Sequence, residues 1–131
     1  MRDVAVGWAG GRFAQDVTVG RHRFRSDELT DKGGDDSGAT PHELLLAALG
    51  SCTAMTLKVY AERKGWPLRD VRVALSGAHN DGGFVITRQL SIDGDLDAEQ
   101  RQRLLEIADK CPVHRTLTSE ISIVTKAVEP S

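Results

Sequence analysis

The sequence predicts an α+β protein with the element order βββ-α-ββ-α-β, and two observations lead to this fold class. Short runs of β-type residues, several of them alternating in polarity, lie on both sides of a long apolar segment that carries the signals of a helix. Turn-forming clusters of Gly, Asn and Asp separate these runs. A chain of 131 residues is long enough for a proper hydrophobic core, and we expect residues 1–131 to form a single domain.

The N-terminal part of the chain is predicted to be an antiparallel meander followed by a loop. Three strands are predicted, at Val4 to Trp8, Phe13 to Val19 and His22 to Phe24. Residues 26–39 lack periodicity and are rich in Gly, Asp and Ser, which indicates a loop. Loops of this length are uncommon unless they are functional or disordered.

The other elements are a central helix and those that follow it. In chain order we predict a helix from about Pro41 to Lys64, strands from Val71 to Ser76 and from Phe84 to Asp93, an amphipathic helix from Ala98 to about Lys110, and a final strand from Ile121 to Val128. Residues 80–83 form a strong turn signal between the two middle strands. Asp97 is the predicted cap of the second helix. Val113 to Leu117 could add one more helical turn.

The central helix is the segment around which the chain is organised. Thr40 can cap it, Pro41 suits its first position, and Glu43 stands where the acid of a capping box belongs. From Leu44 to Leu57 no residue is charged, and the helix is apolar nearly all round, which predicts burial on several sides. This stretch is too short to span a bilayer. A sheet can cover one face, and we predict that a twin helix in a homodimer covers the second.

Composition and charge narrow the class of protein. The formal net charge is −2 and no block of Lys or Arg stands out, so nothing suggests nucleic acid or a membrane as a partner. The N-terminus carries an acid at once and no apolar stretch, so we expect no signal peptide and a cytoplasmic location. In a reducing compartment, distant cysteines are more often buried bystanders, catalytic thiols or metal ligands than a static disulfide.

The two cysteines, Cys52 and Cys111, are open to more than one interpretation. Cys52 lies on an apolar helix face near Leu49 and Met55, and buried cysteines usually act as small hydrophobic residues. Cys111 stands at a helix end before Pro112, where a thiol can point towards another element. Such a pair could also be peroxidatic and resolving. For this chemistry a nearby cation would have to lower the pKa of the attacking thiol. The peroxide would oxidise that thiol to a sulfenic acid, and the second thiol would react with it to form a disulfide.

A metal site is the third interpretation of the cysteines. Cys52, Cys111, His42 and His114 could in principle form a Cys₂His₂ zinc site, but no close Cys-x₂-Cys pair is present. The acidic pairs form no EF-hand loop, and the glycine pairs match no phosphate-binding motif. We therefore predict neither a metal nor a cofactor.

Three segments of the chain resemble the OsmC/Ohr family. They are residues 38–53, GATPHELLLAALGSCT, and residues 110–114, KCPVH, with SEISI at 119–123. The order of strands and helices is similar over nearly the whole chain. The resemblance implies an OsmC-like fold and an intertwined homodimer with the central helices inside and the sites at the interface. It also implies thiol-dependent reduction of organic hydroperoxides, with electrons from a dithiol such as a lipoyl group, Cys52 as the attacking thiol and Cys111 as the resolving one.

The residues beside the helix start resemble a less defined OsmC-like branch. In the peroxidase branches a Glu directly follows the helix-opening Pro and pairs with an Arg that activates the thiol. Here His42 follows Pro41, and Glu43 comes one residue later, about 180° from Cys52 on an ideal helix. Glu43 could be only the capping acid, and His42 could substitute for it as a polar partner.

The activating arginine has three candidates by the same resemblance. Arg12 follows a glycine pair much as in the Ohr branch, and Arg23 and Arg25 are less closely similar to the OsmC branch. A solvated strand face is the commoner fate of such arginines. Two functions therefore stay open: a thiol peroxidase, and a non-catalytic OsmC-like dimer that binds an apolar small molecule at its interface. A cation close to Cys52 would favour the first.

Overall fold

The computed structural model describes residues 1–128, and these form two antiparallel sheets and three α-helices. The elements in chain order are β1 (Val4–Trp8), β2 (Gln15–Val19), β3 (His22–Ser26), a short 3-10 turn (Thr30–Lys32), α1 (Pro41–Lys64), β4 (Leu68–Asn80), β5 (Gly83–Gly94), α2 (Ala98–Ala108) and α3 (Pro112–Leu117). The predicted α+β class is confirmed.

The chain forms two compact units whose boundary lies inside α1. The first unit, Met1–Ala47, holds the three N-terminal strands, the loop after them and the first turns of α1. The second unit begins at Ala48 and holds the rest of α1, the β4–β5 hairpin, α2 and α3. A single domain over residues 1–131 stays a prediction.

The first unit is built on the predicted meander. Its sheet has the order β1-β2-β3, with Val17 of β2 paired to Val6 on one side and to Phe24 on the other. Val17 is buried, whereas Val6 and Trp8 of β1 are largely exposed. The outer strand thus leaves its apolar side chains uncovered in the single chain.

The loop of residues 26–39 is ordered by one buried carboxylate. Asp27 accepts hydrogen bonds from the Ser37 hydroxyl at 2.7 Å and from the backbone N–H groups of Ser37, Glu28 and Asp35 at 3.0, 2.7 and 3.2 Å. These bonds favour the charged form and lower the pKa of Asp27 to about 2. The loop is therefore held by side-chain to backbone hydrogen bonds in place of regular structure.

α1 spans Pro41–Lys64, as predicted, and both of its ends are capped. The Thr40 N–H donates to Glu43 Oε1 at 2.8 Å, and the Glu43 N–H donates to Thr40 Oγ1 at 3.2 Å. This is the capping box that the sequence indicated. At the other end Gly65 adopts a φ of 69°, the left-handed conformation that glycine accepts most readily.

In the second unit only one side of α1 is buried, which corrects the prediction of burial on several sides. The buried positions recur along this side: Leu49, Gly50, Thr53, Leu57 and Ala61. On the opposite side Met55 is 68% exposed and Val59 is 45% exposed. The sequence is apolar nearly all round, but the single chain provides cover for only one side of the helix.

By length and composition alone, α1 is the one helix among the described residues that could cross a membrane. A window of 18 residues within it has a mean hydropathy of 1.5, and 28% of that window is buried. The uncharged stretch of residues 44–57 is shorter than a bilayer span, whereas the complete helix is long enough by this criterion. The core helix of a soluble protein meets the same criterion, so this feature is weak evidence for a membrane span.

A long antiparallel hairpin of β4 and β5 packs against the buried side of α1. The predicted turn is confirmed, with Asn80 paired to Gly83. A Cβ atom on Gly50 would lie 2.7 Å from Leu75 Cδ1, which shows how closely α1 approaches β4. Every second residue of β5 is partly buried: Ile86, Arg88, Leu90 and Ile92. An arginine therefore lies in phase with the apolar face of this strand.

α2 completes the core of the second unit. Asp97 caps it, as predicted, and forms a capping box with Gln100. Buried apolar residues of α2 and α1 pack together with the ends of the hairpin: Leu57, Ala61, Leu68, Leu96, Leu104, Ile107 and Ala108. This cluster fixes the place where α2 ends and α3 begins.

The C-terminal residues 121–128 form neither helix nor strand, which corrects the predicted final strand. Ile121 and Ile123 are exposed, and neither sheet includes the segment. A strand needs a neighbouring strand to pair its backbone groups. No strand within residues 1–128 pairs with this segment, although its sequence alternates. The predicted extra turn after Pro112 is present as α3, so the observed order is βββ-α-ββ-α-α.

Candidate active site

Cys52 lies halfway along α1 and is partly exposed. Its thiol borders a mostly apolar groove of about 580 Å³ on the open side of the helix, whose other lining residues include Ala48, Met55, Thr56, Val59 and Pro112. The Val113 N–H donates a hydrogen bond to Cys52 Sγ at 3.4 Å. A small apolar molecule in the groove would therefore reach this thiol directly.

Cys111 is fully buried at the N-terminus of α3. The His114 N–H donates to Cys111 Sγ at 3.3 Å, and Thr53 Oγ1 lies 3.7 Å from the same sulfur. Cys52 is also among the groups near Cys111 that lower the pKa of its thiol. The fold thus brings the two predicted thiols near each other, one from the middle of α1 and one from the junction of α2 and α3.

The environment of Cys111 favours its thiolate. Burial alone would raise the pKa of Cys111, because it disfavours the charged form. Hydrogen bonds from the His114 N–H, Thr53 and Cys52, together with the positive charge of Arg88, outweigh burial and hold the pKa below that of an ordinary thiol. Both cysteines are reduced in this structure.

Arg88 is a cation that the second unit places beside Cys111. Its side chain is 12% exposed, and Nη1 donates to Thr53 Oγ1 at 2.9 Å. Nη2 donates to Asp109 Oδ1 at 2.9 Å and lies 3.1 Å from His114 Nδ1. Because a guanidinium only donates, His114 Nδ1 must accept, which places the proton of a neutral imidazole on Nε2. Three side chains therefore fix the position of this arginine.

Arg88 was not among the residues predicted from the sequence, although a signal for it was present. In β5 the partly buried residues Ile86, Leu90 and Ile92 alternate with exposed ones, and Arg88 falls in the same phase. A charged residue at an inward position of a strand needs a partner, which makes it a better candidate than an arginine on an outward position.

The three arginines that were predicted belong to the first unit. The Arg12 guanidinium lies 4.8 Å from the centre of the Phe13 ring. Arg23 and Arg25 form ion pairs with Asp16 at 3.5 and 3.7 Å, and their side chains are exposed. These contacts are typical of cations on a solvated strand face. Roles for Arg12, Arg23 and Arg25 at the thiols stay predictions.

The two predicted polar residues at the start of α1 also belong to the first unit. The carboxylate of Glu43 accepts the Thr40 N–H as part of the capping box, which is its structural role. His42 is exposed in the first turn. Catalytic roles for His42 and Glu43 stay predictions.

A metal centre has no support in the part of the chain that the structure describes. Within residues 1–128, no three His, Cys, Asp or Glu side chains are grouped so that they could hold an ion. The neighbour of His114 Nδ1 is the guanidinium of Arg88, and a cation at that position opposes a second cation.

Comparison with known proteins places this site in a family. Residues 34–126 match the family model described as OsmC-like protein, and this range includes both cysteines and Arg88. No curated protein sequence matches the chain.

Solved structures share the fold at low sequence identity. An OsmC-like protein from Mycoplasma pneumoniae is 17% identical with a TM-score of 0.76, over 89% of this chain and 86% of that one. The organic hydroperoxide resistance protein OsmC from Legionella pneumophila is 21% identical with a TM-score of 0.68, over 90% and 89%. The organic hydroperoxide resistance protein OhrB of Bacillus subtilis is 24% identical with a TM-score of 0.63, over 90% of each chain. Because the family model matches more than half of the residues of this chain, the chain belongs to the OsmC-like protein family.

Proposed function

We propose that this protein is a thiol-dependent peroxidase that reduces organic hydroperoxides through Cys52 and Cys111. The observation that carries the proposal is the proximity of two free thiols, of which one borders an open groove and the other is buried beside a cation. Membership of the OsmC-like family, and structural neighbours named as organic hydroperoxide resistance proteins, support a general role in the response to peroxides.

The first chemical step belongs to Cys52, because its sulfur is the one that reaches the groove. The Cys52 thiolate attacks the distal oxygen of the hydroperoxide and the O–O bond breaks. Sulfur is oxidised to a sulfenic acid, and the alkoxide takes a proton and leaves as the alcohol. The apolar walls of the groove suit the organic part of such a substrate better than they suit hydrogen peroxide.

The second step belongs to Cys111. Its thiolate attacks the sulfur of the Cys52 sulfenic acid, the S–S bond forms, and the S–O bond breaks. The hydroxide that leaves takes a proton and becomes water. Two thiols and one hydroperoxide thus give one disulfide, one alcohol and one water. A dithiol such as a lipoyl group would then reduce the disulfide by exchange.

A homodimer is part of the proposal. The open side of α1 exposes large apolar side chains beside the groove, and a second copy of the chain is the occupant with a matching apolar face. Such a dimer would narrow the groove at Cys52 and exclude water from it. We also propose a cytoplasmic location, where a reducing environment keeps both thiols available.

A second candidate function is the binding of an apolar small molecule without catalysis. The groove of about 580 Å³ favours it, since this volume lies in the range of small-molecule pockets. In that case Cys52 and Cys111 mainly pack.

The test is the consumption of cumene hydroperoxide or tert-butyl hydroperoxide in the presence of a dithiol. We expect the wild type to consume peroxide and Cys52→Ser to lose this activity. Cys111→Ser should be strongly slowed, because the sulfenic acid that forms on Cys52 then has no second thiol with which to form a disulfide. A matched control restores the thiol count elsewhere: Cys52→Ser combined with Ser76→Cys, an exposed position on β4, should stay inactive. If wild type and both single variants are equally slow, the peroxidase proposal is wrong and the binding function stands.

A further inference from the structure

We propose that Arg88 is a positioning residue that acts through Thr53 to favour the thiolate of Cys111, and thereby speeds the closure of the disulfide. The part of this inference that concerns disulfide closure rests on the proposed peroxidase function. The part that concerns the charge state of Cys111 rests on the geometry of the reduced protein alone.

The side chain of Arg88 is held in one position. It projects from the buried face of β5 with 12% of its side chain exposed, and it donates to Thr53, Asp109 and His114. A guanidinium with donors committed to three side chains has few other arrangements open to it. Its charge therefore stays at a fixed place next to the thiols.

The hydroxyl of Thr53 carries a single proton. Thr53 Oγ1 accepts from Arg88 at 2.9 Å, donates to the Leu49 carbonyl oxygen at 2.7 Å and lies 3.7 Å from Cys111 Sγ. Because Arg88 occupies an acceptor position of this oxygen, the hydroxyl proton has two acceptors within reach, the Leu49 carbonyl and the sulfur. A Cys111 thiolate can draw this proton from the carbonyl, since a charged acceptor forms the stronger hydrogen bond, while Arg88 polarises the hydroxyl.

The balance of charge around Cys111 favours its thiolate. The titratable groups that act on Cys111 are Cys52 on α1 and Arg88 on β5, and those in contact with Arg88 are Asp109 at the end of α2 and His114 on α3. Asp109 is 70% exposed, so water screens its charge, whereas the charge of Arg88 is mostly shielded from water. The field at the sulfur is therefore positive, in agreement with the lowered pKa of Cys111.

The consequence is kinetic, because the rate of thiol attack depends on the fraction present as thiolate. A buried cysteine without such donors would be protonated at neutral pH and would close the disulfide slowly. With Arg88 and Thr53 in place, the Cys111 thiolate is ready when Cys52 becomes a sulfenic acid, and the exposed sulfenic acid is short-lived.

The first experiment needs no peroxide. In a Cys52→Ser background Cys111 is the only thiol left, and its ionisation can be followed by ultraviolet thiolate absorbance against pH. Adding Arg88→Met or Thr53→Val should raise the midpoint by about one unit. Arg88→Lys should recover part of the shift, because it keeps the charge without the second donor. The matched control, Arg72→Met at an exposed arginine on β4, should leave the midpoint unchanged.

A variant with the opposite expected effect separates charge from general damage to the fold. Asp109→Asn keeps an oxygen that can accept from Arg88 but removes the opposing charge, and Asp109 is exposed enough for the protein to tolerate the change. We expect this variant to lower the midpoint of Cys111. A midpoint that does not respond to Arg88→Met, or that rises with Asp109→Asn, overturns the inference.

The second experiment measures the lifetime of the sulfenic acid in proteins that retain both cysteines. After one equivalent of cumene hydroperoxide, capture by a carbon nucleophile such as dimedone should show the Cys52 sulfenic acid persisting about tenfold longer in Arg88→Met than in wild type at neutral pH. The difference should shrink as the pH is raised and Cys111 ionises in both proteins. Equal lifetimes at every pH overturn the inference. If instead no protein forms a sulfenic acid while the Arg88→Met midpoint still shifts, the peroxidase proposal is wrong and the Arg88 effect stands.

Discussion

The two sides of α1 have nearly the same apolar composition but different surroundings. On one side Leu57 and Thr53 are fully buried within the second unit, with Arg88 beside Thr53. On the other side Met55 and Val59 remain exposed next to the groove. The buried side holds the polar groups that tune a thiol, and the open side offers the apolar surface that a substrate or partner would contact.

This difference shows that the position of a cysteine on the helix decides its chemistry. Cys52 lies where the two sides meet, so its sulfur is reachable from the groove and still lies near Cys111. A cysteine at a fully buried position of α1 could not be reached from the groove, and one on the open face would lack a partner thiol.

The largest expected effect is on assembly, and it concerns the open side. If a twin helix covers this side, Met55→Asp places a charge in the apolar interface and should convert the dimer into a monomer. Light scattering should show the mass halved. The matched control Ser91→Asp adds the same charge at an exposed position on β5 and should keep the dimer. A monomeric mass for the wild type would remove the basis of this comparison.

The next largest effect is on the stability of the buried side. Leu57→Ala should lower the free energy of unfolding by about 2–5 kcal/mol, because Leu57 is fully buried in the core of the second unit. The matched control Leu105→Ala removes the same atoms from a largely exposed position on α2 and should cost less than about 1 kcal/mol. Urea unfolding measures both. Equal costs would mean that the open and buried positions do not differ in solution.

A smaller effect is expected from the polar link on the buried side. Thr53→Val keeps the shape but leaves one donor of Arg88 without its acceptor, which should cost about 1–3 kcal/mol of stability. Thr87→Val, at an exposed neighbour of Arg88 on β5, should change stability by less than about 0.5 kcal/mol. If Thr53→Val leaves the free energy of unfolding unchanged in the same urea experiment, Arg88 has found another hydrogen-bond acceptor.

The smallest effect expected at neutral pH concerns Asp27, a carboxylate that lies outside α1. Asp27 has its pKa lowered by hydrogen bonds from Ser37, Glu28 and Asp35 without a cation among the causes. Because the folded pKa of about 2 is below the ordinary value of 3.8, this group stabilises the fold above about pH 4. The contribution is lost as the pH falls towards 2.

The measurement for Asp27 is the urea midpoint as a function of pH. Wild type should lose stability between about pH 4 and pH 2, and Ser37→Ala should show a weaker dependence, because the largest cause of the lowered pKa is gone. Ser76→Ala, at an exposed serine, should follow the wild-type curve. An unchanged slope in Ser37→Ala would show that the backbone donors alone hold the carboxylate.

Elements with local signals were predicted well from the sequence. The capping box at Thr40 and Glu43 and the Asp97 cap predicted where the two longer helices begin. The turn at residues 80–83 fixed the hairpin. These features depend on residues close together in the chain, so their physics is contained in short segments.

Features that depend on distant residues were predicted poorly. The apolar pattern of α1 shows that its faces avoid water but cannot show which face the single chain covers. The segment 121–128 alternates in polarity like a strand, but the alternation does not show which strand, if any, would pair with it. Arg88 was missed because its role arises only when β5, α1 and α3 meet.

The place of Cys111 at the start of α3 links the oxidation state of the site to a helix. Its sulfur caps this six-residue helix by accepting the His114 N–H. A disulfide sulfur carries no charge and is a weaker acceptor than a thiolate, so oxidation should weaken the cap and let the helix fray. His114 also contacts Arg88, so fraying would loosen the arginine as well. Faster amide hydrogen exchange in α3 would then report the oxidised protein, and a reductant would meet a disulfide whose surroundings have already begun to open.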